Sequence, residues 1–182
     1  RYEPEWLVEL WQKEKLPFCH CVPTILQVVL NAKGAQGIDF NGWKLIIGGS
    51  ALNRSLFLNA KERGMHLSTA YGMSETGPII SGAYLNDQAL AGSEDQRTSS
   101  LLKAGVPVPL VQARILDAEG KSLPHDGHAQ GELVLRAPWL TMAYFNEPQK
   151  SAELWEGGWL HTGDVAAIGT DGAIEIRDRI KD

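Results

Sequence analysis

Apolar and polar positions follow two different periods in the first third of the chain, and each change of period marks a new element. The segment PEWLVELWQKEK places Trp6, Leu7, Leu10 and Trp11 on one side of a helix that would begin at Pro4. The apolar run PFCHCV that follows is short enough for a buried strand. This pair predicts a helix followed by a strand.

The same alternation continues through the next fifty residues. Helix patterns in PTILQVVLNAKG and NRSLFLNAKERG end on Gly34 and Gly64, and they alternate with the strand patterns WKLIIGG and MHLSTAYG. Strands that alternate with helices pair in parallel, because each helix carries the chain back across the sheet. We therefore predict an α/β fold that begins with a parallel-sheet βαβ portion.

A polar stretch separates this part from a different pattern. Residues 86–103 keep neither period, and after them come four strand patterns between turn residues: VQARILD, GELVLRA, DVAAIG and AIEIRD. These strands predict a small antiparallel subdomain, barrel-like or a sheet. The expected organisation is an α/β subdomain over 1–85, a linker or loop over 86–103, and a β-subdomain over 104–182.

Composition and charge exclude several classes of protein. With 182 residues, 43% of them hydrophobic, the chain can bury a core. The net charge of −5 and the lack of a basic cluster argue against nucleic acid and anionic membranes as partners. Cys19 and Cys21 lie too close in one apolar run for a disulfide or a zinc site. We expect no transmembrane segment and no secretory signal, and hence a cytoplasmic protein.

Two loops that follow successive predicted strands could hold a ligand at one edge of the sheet. The first, WKLIIGGSAL, ends its strand in glycines, which allow a ligand to approach the backbone. In the second, YGMSETGP, Tyr71 offers an aromatic face, Ser74 a hydroxyl and Glu75 a ligand for Mg²⁺. Taken separately, each segment is equally compatible with an ordinary turn.

A third segment near the end of the chain adds a carboxylate and a guanidinium group. Asp164 follows a Thr-Gly turn, and Arg179 lies fifteen residues further on, beyond a hairpin turn. A carboxylate can accept both hydroxyls of a ribose, and a guanidinium adds a donor. The alternative is a hairpin with capping aspartates. His20, His66 and His161 show no metal-ligand spacing, and we assign them no catalytic role.

Taken together, the segments IIGGSAL, YGMSETGP, GELVLRAPWLTMAYFNEP and GGWLHTGD…GAIEIRDRIKD resemble the adenylate-forming enzymes in order and spacing. Acyl-CoA synthetases, luciferases and nonribosomal adenylation domains belong to this superfamily. The resemblance spans nearly the whole chain, and the first 26 residues look most like bacterial medium-chain fatty acyl-CoA ligases. It implies small-molecule substrates: a carboxylic acid, ATP and coenzyme A.

The resemblance also implies a nucleotide site with Mg²⁺. Residues that would bind ATP or AMP are, in chain order, Gly49, Ser50, Ala51, Tyr71, Gly72, Met73, Ser74, Asp164 and Arg179. Tyr71 would stack on the adenine, and Asp164 would take the ribose hydroxyls. Ser74 at the α-phosphate and Glu75 at the metal would act in the reaction. Lys181 would be the hinge to a small C-terminal domain.

Other features of the sequence limit this interpretation. Ser74 stands where the superfamily more often has threonine, and Ala143 where it often has glycine. A phosphate loop with a lysine is missing, so we expect an internal fragment that is inactive in isolation. The alternatives are a non-catalytic AMP- or acyl-adenylate-binding module, adenylation of another carboxylic acid, and a structural fragment with chance motifs. A homo-oligomer is possible.

Overall fold

The computed structural model describes residues 3–180, and its first sheet is mixed. Its strands, in spatial and chain order, are β1 (Phe18–Cys21), β2 (Lys44–Ile47), β3 (His66–Gly72), β4 (Ile79–Gly82) and β5 (Val106–Pro107). The pairs β1–β2 and β2–β3 are parallel, whereas β3–β4 and β4–β5 are antiparallel. The parallel βαβ portion is confirmed, and two antiparallel strands extend it.

Helices connect the parallel strands as the alternation predicts. The α-helices of the described residues are α1 (Pro4–Glu14), α2 (Pro23–Leu30), α3 (Arg54–Glu62), α4 (Asp87–Ala91), α5 (Glu94–Leu102) and α6 (Pro148–Leu154). A proline in the first turn begins α1 and α2, and the Asn53 side chain accepts the N–H of Leu56 at 2.8 Å to cap α3. None of the helices within 3–180 is long and apolar enough to cross a membrane.

The first hydrophobic core lies between these helices and the parallel strands. Val8 and Trp11 from α1 are buried there with Leu26 and Phe57 from the next two helices. Trp6, which the periodicity places on the apolar face, is 59% exposed instead. The buried side of α1 is therefore rotated toward Val8, and Trp6 lies at its margin.

Residues 86–103, expected as a linker or loop, form two short helices, α4 and α5, over most of their length. Local capping forms these helices: the Asn86 side chain accepts the N–H of Ala89 at 2.8 Å, and Ser93 and Gln96 bond reciprocally. Apolar periodicity is weak in α5, where Thr98 is buried. The boundary between domains in this region stays a prediction.

The second sheet is antiparallel and confirms the four strand patterns. It consists of β6 (Gln112–Leu116), β7 (Gly131–Arg136), β8 (Leu160–Ile168) and β9 (Ile174–Arg179), in that order. Each strand pairs with its neighbour in sequence, so the predicted barrel-like subdomain is a four-stranded meander.

The two sheets meet where the residues before β5 lie beside β9. The amide of Ile174 in β9 donates to the carbonyl of Gly105 at 2.7 Å, and the adjacent Ala104 is bound to β4, because its carbonyl accepts the hydroxyl of Ser81 at 2.8 Å. Ile80 from β4 is fully buried in the second core, beside Leu133 and other residues of the antiparallel sheet. This packing brings the end of β3 to the side of β8 and β9.

Candidate functional site

The glycine-rich end of β2 lies beside the end of β3. Ile47 and Thr69 are partners in the parallel register, so the chain leaves both strands at the same edge of the sheet. A side chain on Gly48 would lie 3.2 Å from the carbonyl oxygen of Ala70, and Gly49 has a positive φ of 83°. Residues 49–51 are exposed at this edge, next to the loop that carries Tyr71.

The YGMSETGP loop is held in a tight turn by Thr76 and Pro78, for which the sequence predicts no role. The Thr76 side chain is fully buried, and its hydroxyl accepts the N–H of Met73 at 2.9 Å and lies 2.5 Å from the carbonyl oxygen of Pro78. A side chain on Gly72 would fall 1.6 Å from that same oxygen. The turn leaves Ser74 exposed and Glu75 half-buried.

Asp164 brings the two sheets together at this loop. The Tyr71 hydroxyl donates to Oδ2 of Asp164, and Arg179 Nε donates to Oδ1 at 3.0 Å. Tyr71 is 93 positions from Asp164 along the chain, whereas Arg179 is its partner in the β8–β9 register. The hypothesis of unrelated chance motifs requires these residues to be far apart, and they are in contact.

Burial makes this carboxylate depend on its partners. Asp164 is 5% exposed, and a buried charge is costly unless it is paired and hydrogen-bonded. Burial, and then the bond to Asp164, raise the pKa of Tyr71 well above its ordinary value, so the phenol remains a donor. Two carboxylate oxygens offer about four lone-pair sites. Asp164 can therefore still accept ligand hydroxyls.

A second carboxylate supports the turn before Asp164. Glu132 Oε1 accepts the N–H of Gly163 at 3.1 Å, and its Oε2 lies 2.8 Å from Nδ1 of His161. The Thr162 hydroxyl accepts the N–H of Asp164 at 3.1 Å and donates to the carbonyl of Leu133 at 2.7 Å. The role of Glu132 is not predicted from the sequence, because no local pattern links this residue to a turn 31 positions away.

Glu75 is held by the segment between β7 and α6, residues 137–147, which we call the clamp loop. The Tyr144 hydroxyl donates to Oε1 of Glu75 at 2.7 Å, and the amide of Thr141 donates to the Glu75 carbonyl at 2.9 Å. The indole N–H of Trp139 donates to the carbonyl of Thr76 at 3.0 Å. The bond to Glu75 raises the pKa of Tyr144 to about 12.

Among the residues that the structure describes, Glu75 is the candidate metal ligand of this site. Within residues 3–180, no three His, Cys, Asp or Glu side chains cluster as a metal site. Glu75 by itself fits Mg²⁺ that arrives with a nucleotide, because Mg²⁺ is commonly held by one or two carboxylates plus substrate phosphates and water. The predicted hinge Lys181 lies outside the described residues.

The mixed sheet and the antiparallel sheet meet at the cluster of Tyr71, Asp164 and Arg179. Comparison with known proteins shows which family this fold belongs to. The chain matches the family described as AMP-binding enzyme over residues 1–145, and it belongs to that family. The resemblance seen in the sequence is confirmed.

The relatives are mostly named as CoA ligases. The chain is 35% identical to a long-chain-fatty-acid–CoA ligase of Thermus thermophilus over 184 residues, covering 100% of this chain and 34% of that protein. Identity to 4-hydroxybutyrate–CoA ligase 2 of Metallosphaera sedula is 31%, covering 97% and 32%. The chain thus spans about a third of the length of these relatives.

A solved structure agrees with the fold. The amide bond synthetase McbA from Marinactinospora thermotolerans superposes with a TM-score of 0.80 at 26% identity, over 100% of this chain and 35% of that one. Because the match extends through both sheets, the way the two sheets meet is shared with an enzyme of known structure.

Removal of the Glu132 side chain tests its support of the Asp164 turn. In Glu132→Ala the N–H of Gly163 and the ring of His161 lose a partner, and we expect a loss of about 1–3 kcal/mol in the free energy of unfolding. Urea unfolding measures this loss, and amide exchange at Gly163 should accelerate.

The matched control is Glu119→Ala, in an exposed turn, with an expected change within about 0.5 kcal/mol. Equal losses in the two variants, with unchanged exchange at Gly163, would contradict the assigned support.

Proposed function

We propose that the protein carrying this chain is an acyl-CoA ligase. It would activate a carboxylic acid, preferably a fatty acid, with ATP and transfer the acyl group to coenzyme A. The observation that carries this proposal is the contact of Asp164 with Tyr71 and Arg179, which joins both predicted halves of a nucleotide site. The named relatives, which are CoA ligases, support the same reaction class.

Tyr71 and Asp164 would bind the nucleoside. The hydroxyl of Tyr71 is tied to Asp164, so its ring is fixed at the edge of the sheet and can stack on an adenine. Asp164 would accept the ribose hydroxyls through its remaining lone pairs, with Arg179 keeping the carboxylate oriented. Gly49, Ser50 and Ala51 would line the neighbouring wall, and Gly72 and Met73 would contact the nucleotide through their backbone.

Ser74 and Glu75 would act where the reaction takes place. A carboxylate oxygen of the acid bonds to the α-phosphorus as the bond to pyrophosphate breaks, and negative charge builds on the phosphate oxygens. The exposed hydroxyl of Ser74 can donate to one of those oxygens. Mg²⁺ bound at Glu75 would neutralise part of this charge.

The second half-reaction would release AMP. The sulfur of coenzyme A bonds to the acyl carbon, the bond to the adenylate oxygen breaks, and the thiol proton leaves to solvent. The resemblance to the adenylate-forming enzymes implies that Lys181 is the hinge about which a small C-terminal domain turns between the two steps. A cytoplasmic location and a homo-oligomeric state stay predictions.

Another acid, or a binding module without catalysis, is the alternative. The relatives are named for acids that range from long-chain fatty acids to 4-hydroxybutyrate, and the name of McbA indicates an amide product. Family membership alone therefore leaves the acid open. AMP binding without acid-dependent pyrophosphate exchange would favour the binding module.

The primary test is exchange of labelled pyrophosphate into ATP by the full-length protein, in the presence of fatty acids. We expect acid-dependent exchange, and Asp164→Asn should raise the KM for ATP about 10- to 100-fold because it weakens charge-assisted hydrogen bonds to ribose.

Asp87→Asn, at an exposed position in α4, is the matched control and should leave the KM for ATP unchanged. Exchange that fails with every acid would contradict a ligase, and exchange unaffected by Asp164→Asn would contradict the nucleotide site.

Acid preference requires its own test. The chain's first residues look most like medium-chain ligases, so we propose a maximum of kcat/KM at medium chain length in a series of straight-chain acids. One methylene in an apolar pocket is worth about 1–3 kcal/mol, enough to resolve neighbouring lengths. A maximum at long-chain acids would overturn the medium-chain proposal and leave the ligase intact.

A further inference from the structure

We propose that Tyr144 is a positioning residue for Glu75, through which the clamp loop sets the orientation of the carboxylate toward a cation bound with the nucleotide. This inference rests on the proposed function and gives a role to a residue that lies in the segment GELVLRAPWLTMAYFNEP but has no role predicted from the sequence. Tyr144 lies 69 positions from Glu75 and is joined to it by one hydrogen bond of 2.7 Å.

The clamp loop holds both the side chain and the backbone of the turn that carries Glu75. Tyr144 bonds to the carboxylate, Thr141 to the carbonyl of the same residue, and Trp139 to the carbonyl of Thr76. Three donors from one loop therefore meet two consecutive residues of the turn. Such contacts fix the position of the turn and the direction of its side chain.

The clamp loop is itself fixed, so it can act as a support. The indole N–H of Trp155 donates to the carbonyl of Thr141 at 3.0 Å, and the amide of Tyr144 donates to the hydroxyl of Ser151 at 2.9 Å. Leu140 is 6% exposed and belongs to the second core. The loop thus transmits the position of the second sheet to Glu75.

The chemistry of the contact suits a metal ligand. Tyr144 is a neutral donor that occupies Oε1 of Glu75, whereas within residues 3–180 Oε2 makes no hydrogen bond. A neutral donor orients the carboxylate and leaves its negative charge intact, whereas a lysine or arginine would cancel that charge. The second oxygen keeps its full capacity to bind a cation.

The test compares ATP binding by the full-length protein with Mg²⁺ and with EDTA, using calorimetry. In Tyr144→Phe the orienting bond is lost, and we expect the gain in ATP affinity that Mg²⁺ gives to fall about tenfold. The ATP affinity in EDTA should stay within about twofold of wild type, because Tyr144 would not touch the nucleotide. A loss of ATP affinity seen with Mg²⁺ but not with EDTA distinguishes a role in positioning Glu75 from a general structural role.

Two further variants serve as a control and as a test of whether Tyr144 acts through Glu75. Tyr84→Phe is the matched control, since Tyr84 is 61% exposed and makes no hydrogen bond in the described part of the chain, and it should bind like wild type. In a Glu75→Gln background, Tyr144→Phe should have no further effect on the Mg²⁺-dependent gain.

A Mg²⁺-dependent gain in Tyr144→Phe equal to wild type would overturn the inference, and so would equal losses with and without metal. If the wild-type protein shows no Mg²⁺-dependent binding of ATP at all, the proposed function fails with it. The wild-type titration thus distinguishes failure of the function from failure of the positioning role.

Discussion

The buried carboxylate of Asp164 is the constraint on which the arrangement of the two sheets depends. A charge in this position needs partners, and they come from both sheets: Tyr71 from the end of β3 and Arg179 from β9. The parallel part of the protein and the antiparallel part must therefore meet at this point. Burial of Ile80 in the second core supplies the apolar side of the same junction.

The second sheet also holds the loop that would meet the phosphates. Tyr144 fixes the carboxylate of Glu75, and Glu132 fixes the turn before Asp164. Both supports come from the antiparallel part, whereas Tyr71, Ser74 and Glu75 come from the parallel part. Tyr71 and Glu75, which we propose to face the nucleotide, thus come from the first sheet and are hydrogen-bonded by residues of the antiparallel part, an arrangement that pre-organises a site.

The sequence predicts those parts of the structure that depend on local patterns. The spacing of apolar residues predicts the parallel strands and the antiparallel meander, because a strand that is buried on one or both faces has a characteristic pattern of apolar positions. The helices α4 and α5 are missed, since their capping residues, such as Ser93, lie outside any strong apolar period. Tyr144 and Glu132 are missed for another reason: their bonds span 69 and 31 positions, and no local pattern records such contacts.

A structure of the full-length protein with bound AMP would show directly which atoms meet the ribose and the adenine. We expect both ribose hydroxyls to lie within hydrogen-bond distance of Asp164 and the adenine to pack on the ring of Tyr71. AMP bound elsewhere, or bound with Asp164 paired to Tyr71 and Arg179 alone, would contradict this expectation.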